Sequence, residues 1–385
     1  MKTKAHIVAM SSLDVLGNTP GRSAIMFRGS PAPEAIDGKF EIDNTDDFMF
    51  SRPALVPQSL WKNFERINQI GAATISNLFA DYMWKQYTTV DHSKEFPKES
   101  AIVFSAQTDG LANFERLHNG TRIPPKQLLS NGRDFLVGFI SKMYGLNGPS
   151  TGLAAACATG LYNLEYGMRL IDEHDFVIVG ATDAGTSHLS MEYFRTLGAI
   201  GTHSAPFDKD RDGFVMGEGA AAVIICNSET VEKYGLNTIA IVHDVQLTND
   251  GDSGSLTNPG DGGYRAMKNL PYDTDTLAFI KAHGTSTPMG DPHEVDQINE
   301  LFPELPIVSY KSMIGHTIGA SGLIEMLHSI SHLKSGVIPA NRNINTLYQE
   351  NPNIITESIE TDKRFFINNA FGFGGKCASA LVEVV

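Results

Sequence analysis

Short apolar runs rich in β-branched residues recur along this chain, and they constrain its fold more than any other feature. They occupy residues 101–105, 176–180, 220–226, 238–242, 277–281, 306–309, 365–368 and 379–384. Each is too short for a stable helix and is bounded by turn-forming or polar residues, so each reads as a buried strand. Between them lie amphipathic stretches at 59–84, 132–144, 157–173, 293–302 and 317–334 that read as helices. Strands alternating with helices predict an α/β class with mostly parallel strands, buried on both faces.

Composition narrows the setting. With 385 residues, 42% apolar and 19% charged, the chain is no disordered polymer and can bury a large core. That length suggests two domains or two fused halves. Lys plus Arg is 30 and Asp plus Glu 44, so the net charge is 30 − 44 = −14. An acidic balance disfavours general nucleic-acid binding. Three cysteines, Cys157, Cys226 and Cys377, make no disulfide framework and point to a reducing compartment. The apolar stretch 7–10 is too short for a signal segment, and no run approaches the roughly 18 residues of a membrane span. The expectation is a soluble, cytoplasmic protein.

The polar stretch 227–237 follows a complete strand and marks the expected junction, dividing the chain into 1–226 and 227–385. Each half holds one small-residue segment opening a helix, 154–160 and 315–322, which hints at duplication. Residues 20–57 and 250–263 are rich in Gly, Pro and Asp and read as irregular.

Four places carry residues suited to chemistry. Cys157, in Ala154-Ala155-Ala156-Cys157-Ala158-Thr159-Gly160, fits either a packed small hydrophobe or a nucleophile at a helix N-terminus. In the second case the free N–H groups and the macrodipole favour thiolate. His283 follows a buried strand in His283-Gly284-Thr285-Ser286-Thr287-Pro288, at the sheet edge where ligands bind in open α/β folds. Thr285 and Thr287 alternate and so face one side. His316 follows Lys311-Ser312-Met313-Ile314-Gly315 near a helix start, with Glu325 as a carboxylate for Lys311. Each lone histidine also fits a satisfied structural residue. Phe371-Gly372-Phe373-Gly374-Gly375 makes a poor helix and a poor strand, and suits a loop that brings N–H groups close to a ligand. No pair of His, Cys or acidic residues has zinc-ligand spacing, and there is no P-loop.

Taken together, these motifs resemble the β-ketoacyl-ACP synthases, in their elongating, decarboxylating Cys-His-His branch. Residues 206–214 (Pro-Phe-Asp-Lys-Asp-Arg-Asp-Gly-Phe) and Gly217-Glu218-Gly219 match a further signature, and all motifs fall in the family's order from about residue 101 onward. The resemblance implies a thiolase-like fold: two pseudo-duplicated halves in a five-layered αβαβα arrangement, with the cysteine in the first half and both histidines in the second. It implies an acyltransferase that condenses malonyl-ACP with an acyl group held on Cys157. His283 and His316 would assist decarboxylation, and Lys311 and Glu325 would form a supporting ion pair. The N–H groups of Cys157 and Phe373 would hold the oxyanion, with Phe373 also gating the acyl pocket, and Thr285 and Thr287 would touch pantetheine. No metal or redox cofactor is implied, because phosphopantetheine arrives on the carrier. The partners implied are acyl carrier protein and a second subunit, as a homodimer or as a heterodimer with a non-catalytic ketosynthase-like chain.

The chain also departs from the family. The first hundred residues match poorly, and Cys377 stands where the family usually has asparagine. These differences suggest a divergent member serving a specialised lipid, polyene or polyketide pathway. A degradative thiolase, with Cys377 as a second catalytic cysteine, is the alternative on the same fold. Because the family's carriers are acidic, an enzyme of charge −14 needs a local basic patch, for which Lys62 and Arg66 are the candidates.

Overall fold

The computed structural model describes residues 2–16, 39–40, 42, 64–86, 96–128, 131–132, 134–251 and 259–385. Lys62 and nearly all of the irregular 20–57 stretch lie outside these residues. Along the main path of the large sheet, five strands come from the first part of the chain: β1 (Ala5–Leu13), β2 (Ala101–Ser105), β3 (Ser150–Thr151), β4 (Val177–Ala184) and β5 (Met216–Cys226). Five come from the second: β6 (Ala240–Asn249), β7 (Leu277–Lys281), β8 (Ile307–Val308), β9 (Phe365–Gly372) and β10 (Lys376–Val384). The two-residue strands Lys39–Phe40, Val337–Ile338 and Ile359–Glu360 lie off this path.

Their spatial order is β3-β2-β4-β5-β1-β6-β10-β9-β7-β8. Read outward from the middle, both parts repeat one pattern: the first strand in sequence, then the fifth, the fourth, the second and the third. The directions repeat as well. β5 runs antiparallel to β1 and β4 while β2 runs parallel to β4 and β3; β10 runs antiparallel to β6 and β9 while β7 runs parallel to β9 and β8. The two halves join through a short antiparallel contact, Ala5↔Val242 to Ile7↔Ala240. The expectation of mostly parallel strands is therefore corrected. Burial on both faces produces the same continuous apolar runs whichever way a strand points.

The principal helices are α1 (Arg66–Gln86), α2 (Phe135–Tyr144), α3 (Thr159–Leu170), α4 (His188–Thr196), α5 (Gly262–Lys268), α6 (Gly290–Leu301) and α7 (Ser321–Lys334). Strand periodicity of two sorts side chains between cores. Val177, Val179, Val223 and Ile225 face a central core with Leu161 and Leu164 of α3 and Leu323 and Leu327 of α7. Ile178, Ala222 and Ile224 face an outer core with α1 and α2. Ile367 and Leu381 face a second outer core with α5 and α6. Helices α3 and α7 each touch strands of both halves, so the layers run helix, sheet, helix, sheet, helix.

The two middle helices meet through reciprocal glycines. A methyl group at Gly160 would lie 2.9 Å from Leu323 Cγ, and one at Gly322 would lie 3.1 Å from Leu161 Cγ. Each glycine receives the leucine of the opposite helix, which explains why both helices open with small residues. The polar 227–237 stretch, read as the junction, holds a helix, Ser228–Tyr234. Asn227 caps it by accepting from Thr230 N at 2.8 Å, and Gly235 ends it at φ 62°. The described end of the 250–263 loop likewise enters a helix, α5.

Candidate active site

Cys157 sits in the turn before α3, and that turn is tied from three sides. Thr159 Oγ1 accepts from Ala155 N (2.9 Å) and donates to Ala156 O (2.7 Å), while Gln107 Oε1 accepts from Ala156 N (3.1 Å). Ala156 is held at φ 48°, a strained value for a residue with a side chain. The loops that bear His283 and His316 carry the same signature, at Ser286 (φ 70°) and Ile318 (φ 43°), so three of the five positive-φ non-glycine residues described lie in the loops that bear Cys157 and the two histidines.

His283 leaves the end of β7. The Glu294 carboxylate on α6 fixes its backbone by accepting from His283 N (2.6 Å) and Gly284 N (2.8 Å). The buried Asp291, pushed up to about 7 by burial, accepts from Ser286 N and Phe207 N and sets the strained turn beyond. His316 follows Gly315 and is pinned to the start of β5 by its own N donating to Val215 O at 2.7 Å. Its ring spans two partners, with Nδ1 2.9 Å from Ser321 Oγ and Nε2 3.1 Å from Cys157 Sγ. The rings of His283 and His316 lie 5.3 Å apart, edge to face.

Lys311 and Glu325 meet as expected, Nζ to Oε1 at 2.5 Å, and both are fully buried. Lys311 also donates to His283 O at 2.6 Å, so the ion pair holds the loop that bears His283. The structure adds a partner that sequence reasoning missed. Lys281 reaches the other carboxylate oxygen at 2.5 Å and Asn369 O at 2.5 Å. Burial pushes Lys281 down to about 8, with Lys311 acting in the same direction and Glu325 against it. Its signal was in plain view: a lysine ending the otherwise apolar strand Leu-Ala-Phe-Ile-Lys.

Electrostatics corrects one expectation. A helix N-terminus was expected to lower the Cys157 thiol, but burial pushes it up to about 12. Lys311 and the backbone N–H groups of Phe373 and Cys157 oppose that rise without overcoming it. Both histidines are held well below their ordinary value, by burial first and by Lys311 next. The resting site therefore holds a thiol and two neutral imidazoles.

The glycine loop closes the site. β9 and β10 pair down to Gly372↔Lys376, leaving Phe373, Gly374 and Gly375 as the turn. A methyl group at Gly372 would stand 3.0 Å from Cys157 N, which shows how near this strand end passes to the nucleophile. The adjoining cavity, about 280 Å³, is lined by Cys157, His283 and His316 together with Leu197, Phe214 and Phe373. Thr285 and Thr287 line it too, their hydroxyls 3.0 Å apart. Cys377 lies in the cavity wall but outside the Cys157–His283–His316 cluster, with its thiol pushed up by burial.

Of the two carrier-docking candidates, Lys62 lies outside the described residues. Arg66 is half-buried and paired: its guanidinium binds the buried Glu218 through Nε at 2.6 Å and also through Nη2, which donates to Ile42 O as well. Asp183 was also missed. It accepts from Gln107 N, Thr108 N and Gly319 N, and so links the nucleophile's support to the loop after His316.

Two family models match the chain: "Beta-ketoacyl synthase, N-terminal domain" over residues 75–230 and "Beta-ketoacyl synthase, C-terminal domain" over 239–345. The 3-oxoacyl-[acyl-carrier-protein] synthase 2 of Coxiella burnetii is 33% identical over 265 residues, covering 62% of this chain and 62% of the relative. Its Staphylococcus aureus counterpart is 33% identical over 305 residues, covering 69% of this chain and 72% of the relative. Among solved structures, "The ishigamide ketosynthase/chain length factor" superposes with TM-score 0.86 at 22% identity, with full coverage of both chains.

Proposed function

The chain belongs to the β-ketoacyl synthase family, and from that premise we propose that it forms carbon–carbon bonds by decarboxylative condensation of a malonyl thioester with an acyl group held on Cys157. The observation that carries this reading is the convergence of three loops distant in sequence. Cys157 Sγ and one ring nitrogen each of His283 and His316 all lie within 4.8 Å of one another.

The residues divide the work as follows. Cys157 Sγ attacks the incoming acyl thioester, and its proton passes to His316 Nε2, the ring nitrogen 3.1 Å from the sulfur. Burial and Lys311 disfavour imidazolium there, so the proton moves on to the departing pantetheine thiol. The malonyl thioester then enters past Thr285 and Thr287. Loss of carbon dioxide leaves an enolate, whose oxygen the two neutral imidazoles hold by N–H donation. His316 must accept a proton in the first step and donate one in the second. The Ser321 hydroxyl at Nδ1 suits both, because it can accept from either tautomer or donate to it. The enolate carbon attacks the acyl carbonyl, and the N–H groups of Cys157 and Phe373 receive the resulting oxyanion, a contribution of about 3 kcal/mol. Its collapse breaks the bond from the acyl carbon to Cys157 Sγ, releases the 3-oxoacyl thioester, and leaves a thiolate that takes up a proton from solvent to restore the thiol.

The carrier of both thioesters is read as acyl carrier protein, and the division of the chain is placed after Cys226. The same chemistry serves a homodimer or a heterodimer with a non-catalytic partner of this fold, and native mass of the chain alone separates the two. Intact mass after incubation with an acyl-carrier donor tests the reaction. An acyl-sized gain that vanishes in Cys157→Ala supports it, and no gain with any donor overturns it.

A further inference from the structure

We propose that the Cys157–His283–His316 cluster is also a binding site for Zn²⁺, which occupies it in place of the acyl group and reversibly silences the enzyme. The chain's short-range spacings hold no zinc motif, because these ligands stand 126 and 33 residues apart (283 − 157 and 316 − 283) and only the fold assembles them. Once assembled they form an S,N,N donor set, with every donor atom within 4.8 Å of the others and Cys157 Sγ 3.1 Å from His316 Nε2. Zinc bonds of about 2.3 Å to sulfur and about 2.0–2.1 Å to nitrogen place two ligands of one tetrahedral ion roughly 3.3–3.7 Å apart. Side-chain rotations of about an ångström bring the cluster to that spacing. The cavity beside it leaves the fourth position open to water.

The surroundings suit a metal in two further respects. Ser321 Oγ sits 2.9 Å from His316 Nδ1, where it can accept the Nδ1 proton and leave Nε2 to face the ion, the part an outer hydrogen-bond acceptor plays for a metal-bound histidine. His283 Nδ1 is buried and finds no hydrogen-bond partner among the described residues. On binding, the Cys157 S–H bond breaks, its electron pair forms the S–Zn bond, and the proton leaves to solvent with the displaced waters. No atom is oxidised or reduced. Lys281 and Lys311 oppose a dication, and Glu325 between them offsets only one of their charges, so the affinity is moderate. A thiolate and two imidazoles select a borderline-soft ion over Mg²⁺ or Ca²⁺, which need oxygen ligands. An acylated Cys157 has no thiolate to offer, so acylation and zinc exclude each other.

The test titrates the reduced, full-length protein with Zn²⁺ against a chromophoric chelator, and separately with Co²⁺ as a spectroscopic probe. One ion per chain is expected, with a sulfur-to-cobalt charge-transfer absorption and slower alkylation of Cys157. Cys157→Ala and His316→Ala each weaken binding at least about tenfold, as loss of one of three ligands requires, while Cys377→Ala retains it. Mg²⁺ at the same concentration does nothing, and a chelator restores acyl transfer. Equal binding by wild type and Cys157→Ala, or a cobalt spectrum without the charge-transfer band, overturns the site. The binding arm uses no substrate, so its failure leaves the condensation reading intact. Only the acyl-transfer readout rests on that reading.

Discussion

The pairs β4–β5 and β9–β10 occupy the same place in the two halves and run antiparallel in the same sense. They differ in how they are closed. β9 turns into β10 through residues 373–375 alone, whereas β4 reaches β5 through residues 185–215, an excursion that includes α4. The tight turn presents the Phe373 N–H to the sulfur. The long one brings Met191, Phe194, Ala199 and Phe214 around the same cysteine as an apolar wall. A repeated backbone therefore brings two connections of unequal length to one thiol, and on the proposed reaction the short one supplies an N–H for the oxyanion and the long one an apolar wall for the acyl chain. The middle helices show the same asymmetry. α3 follows the thiol and packs through Leu161 and Leu164, whereas α7 carries Glu325 between two buried lysines.

The largest break in this symmetry is the placing of both histidines of the cluster, His283 and His316, on the second half. His316→Ala and His283→Ala should each lower condensation about 10²–10⁴-fold. They should differ in acylation, because among the described histidines it is His316, through Nε2, that is hydrogen-bonded to the sulfur. Acyl-enzyme formation by mass and carbon dioxide release from the malonyl thioester separate the two steps, and equal losses on both would remove this division of labour. Next comes the ion pair. Lys311→Met leaves Glu325 with Lys281 alone, so the cost in stability should lie near the low end for a broken buried pair, about 3 kcal/mol by denaturant unfolding. The pH profile supplies the second readout. Burial and then Lys311 hold both imidazoles low, so removing Lys311 raises them. A step that needs neutral imidazole is lost as pH falls through that value, and the acid limb of kcat/KM should move to higher pH.

Much of this was legible in the sequence, for reasons that particular residues make plain. Strand runs 101–105 and 277–281 are observed unchanged, because burial on both faces leaves an unbroken apolar signature. The three reactive residues stood out because each follows a strand or opens a helix among small neighbours. Strand direction was not legible, since an apolar run is the same read either way. The thiol's protonation was misjudged because helix position is local, while burial by Phe214, Met216 and Ile318 comes from distant segments. Lys281 and Asp183 were missed for the same reason. A charged residue in a buried strand shows its purpose only through partners at 325 and 369, or at 107 and 319.

Smaller effects sharpen the comparison of halves. Gly160→Ala and Gly322→Ala press a methyl group into the opposite helix at nearly the same distance, and each should cost about 1–3 kcal/mol. Matching losses in unfolding midpoint would confirm reciprocal packing, and a twofold difference would mean one helix yields more easily than the other.

The smallest effect isolates the two connections themselves. Gly374 (φ 80°) and Gly198 (φ 66°) lie one in each, and neither would meet any atom within 4 Å if given a methyl group. Alanine at either position therefore adds backbone strain alone, about 1 kcal/mol, and the two variants should lose stability equally. Their kinetics should diverge. Gly374 follows the residue whose N–H faces the sulfur, so strain there misaligns a donor needed mainly in the transition state and should lower kcat severalfold with KM little changed. Gly198 lines the cavity beside Leu197 and Ala199, so strain there reshapes a wall that meets substrate in ground and transition state alike. It should raise KM for the acyl donor and spare kcat. If the two alanines instead shift kcat and KM alike, the tight turn and the long connection do not divide oxyanion and acyl binding between them.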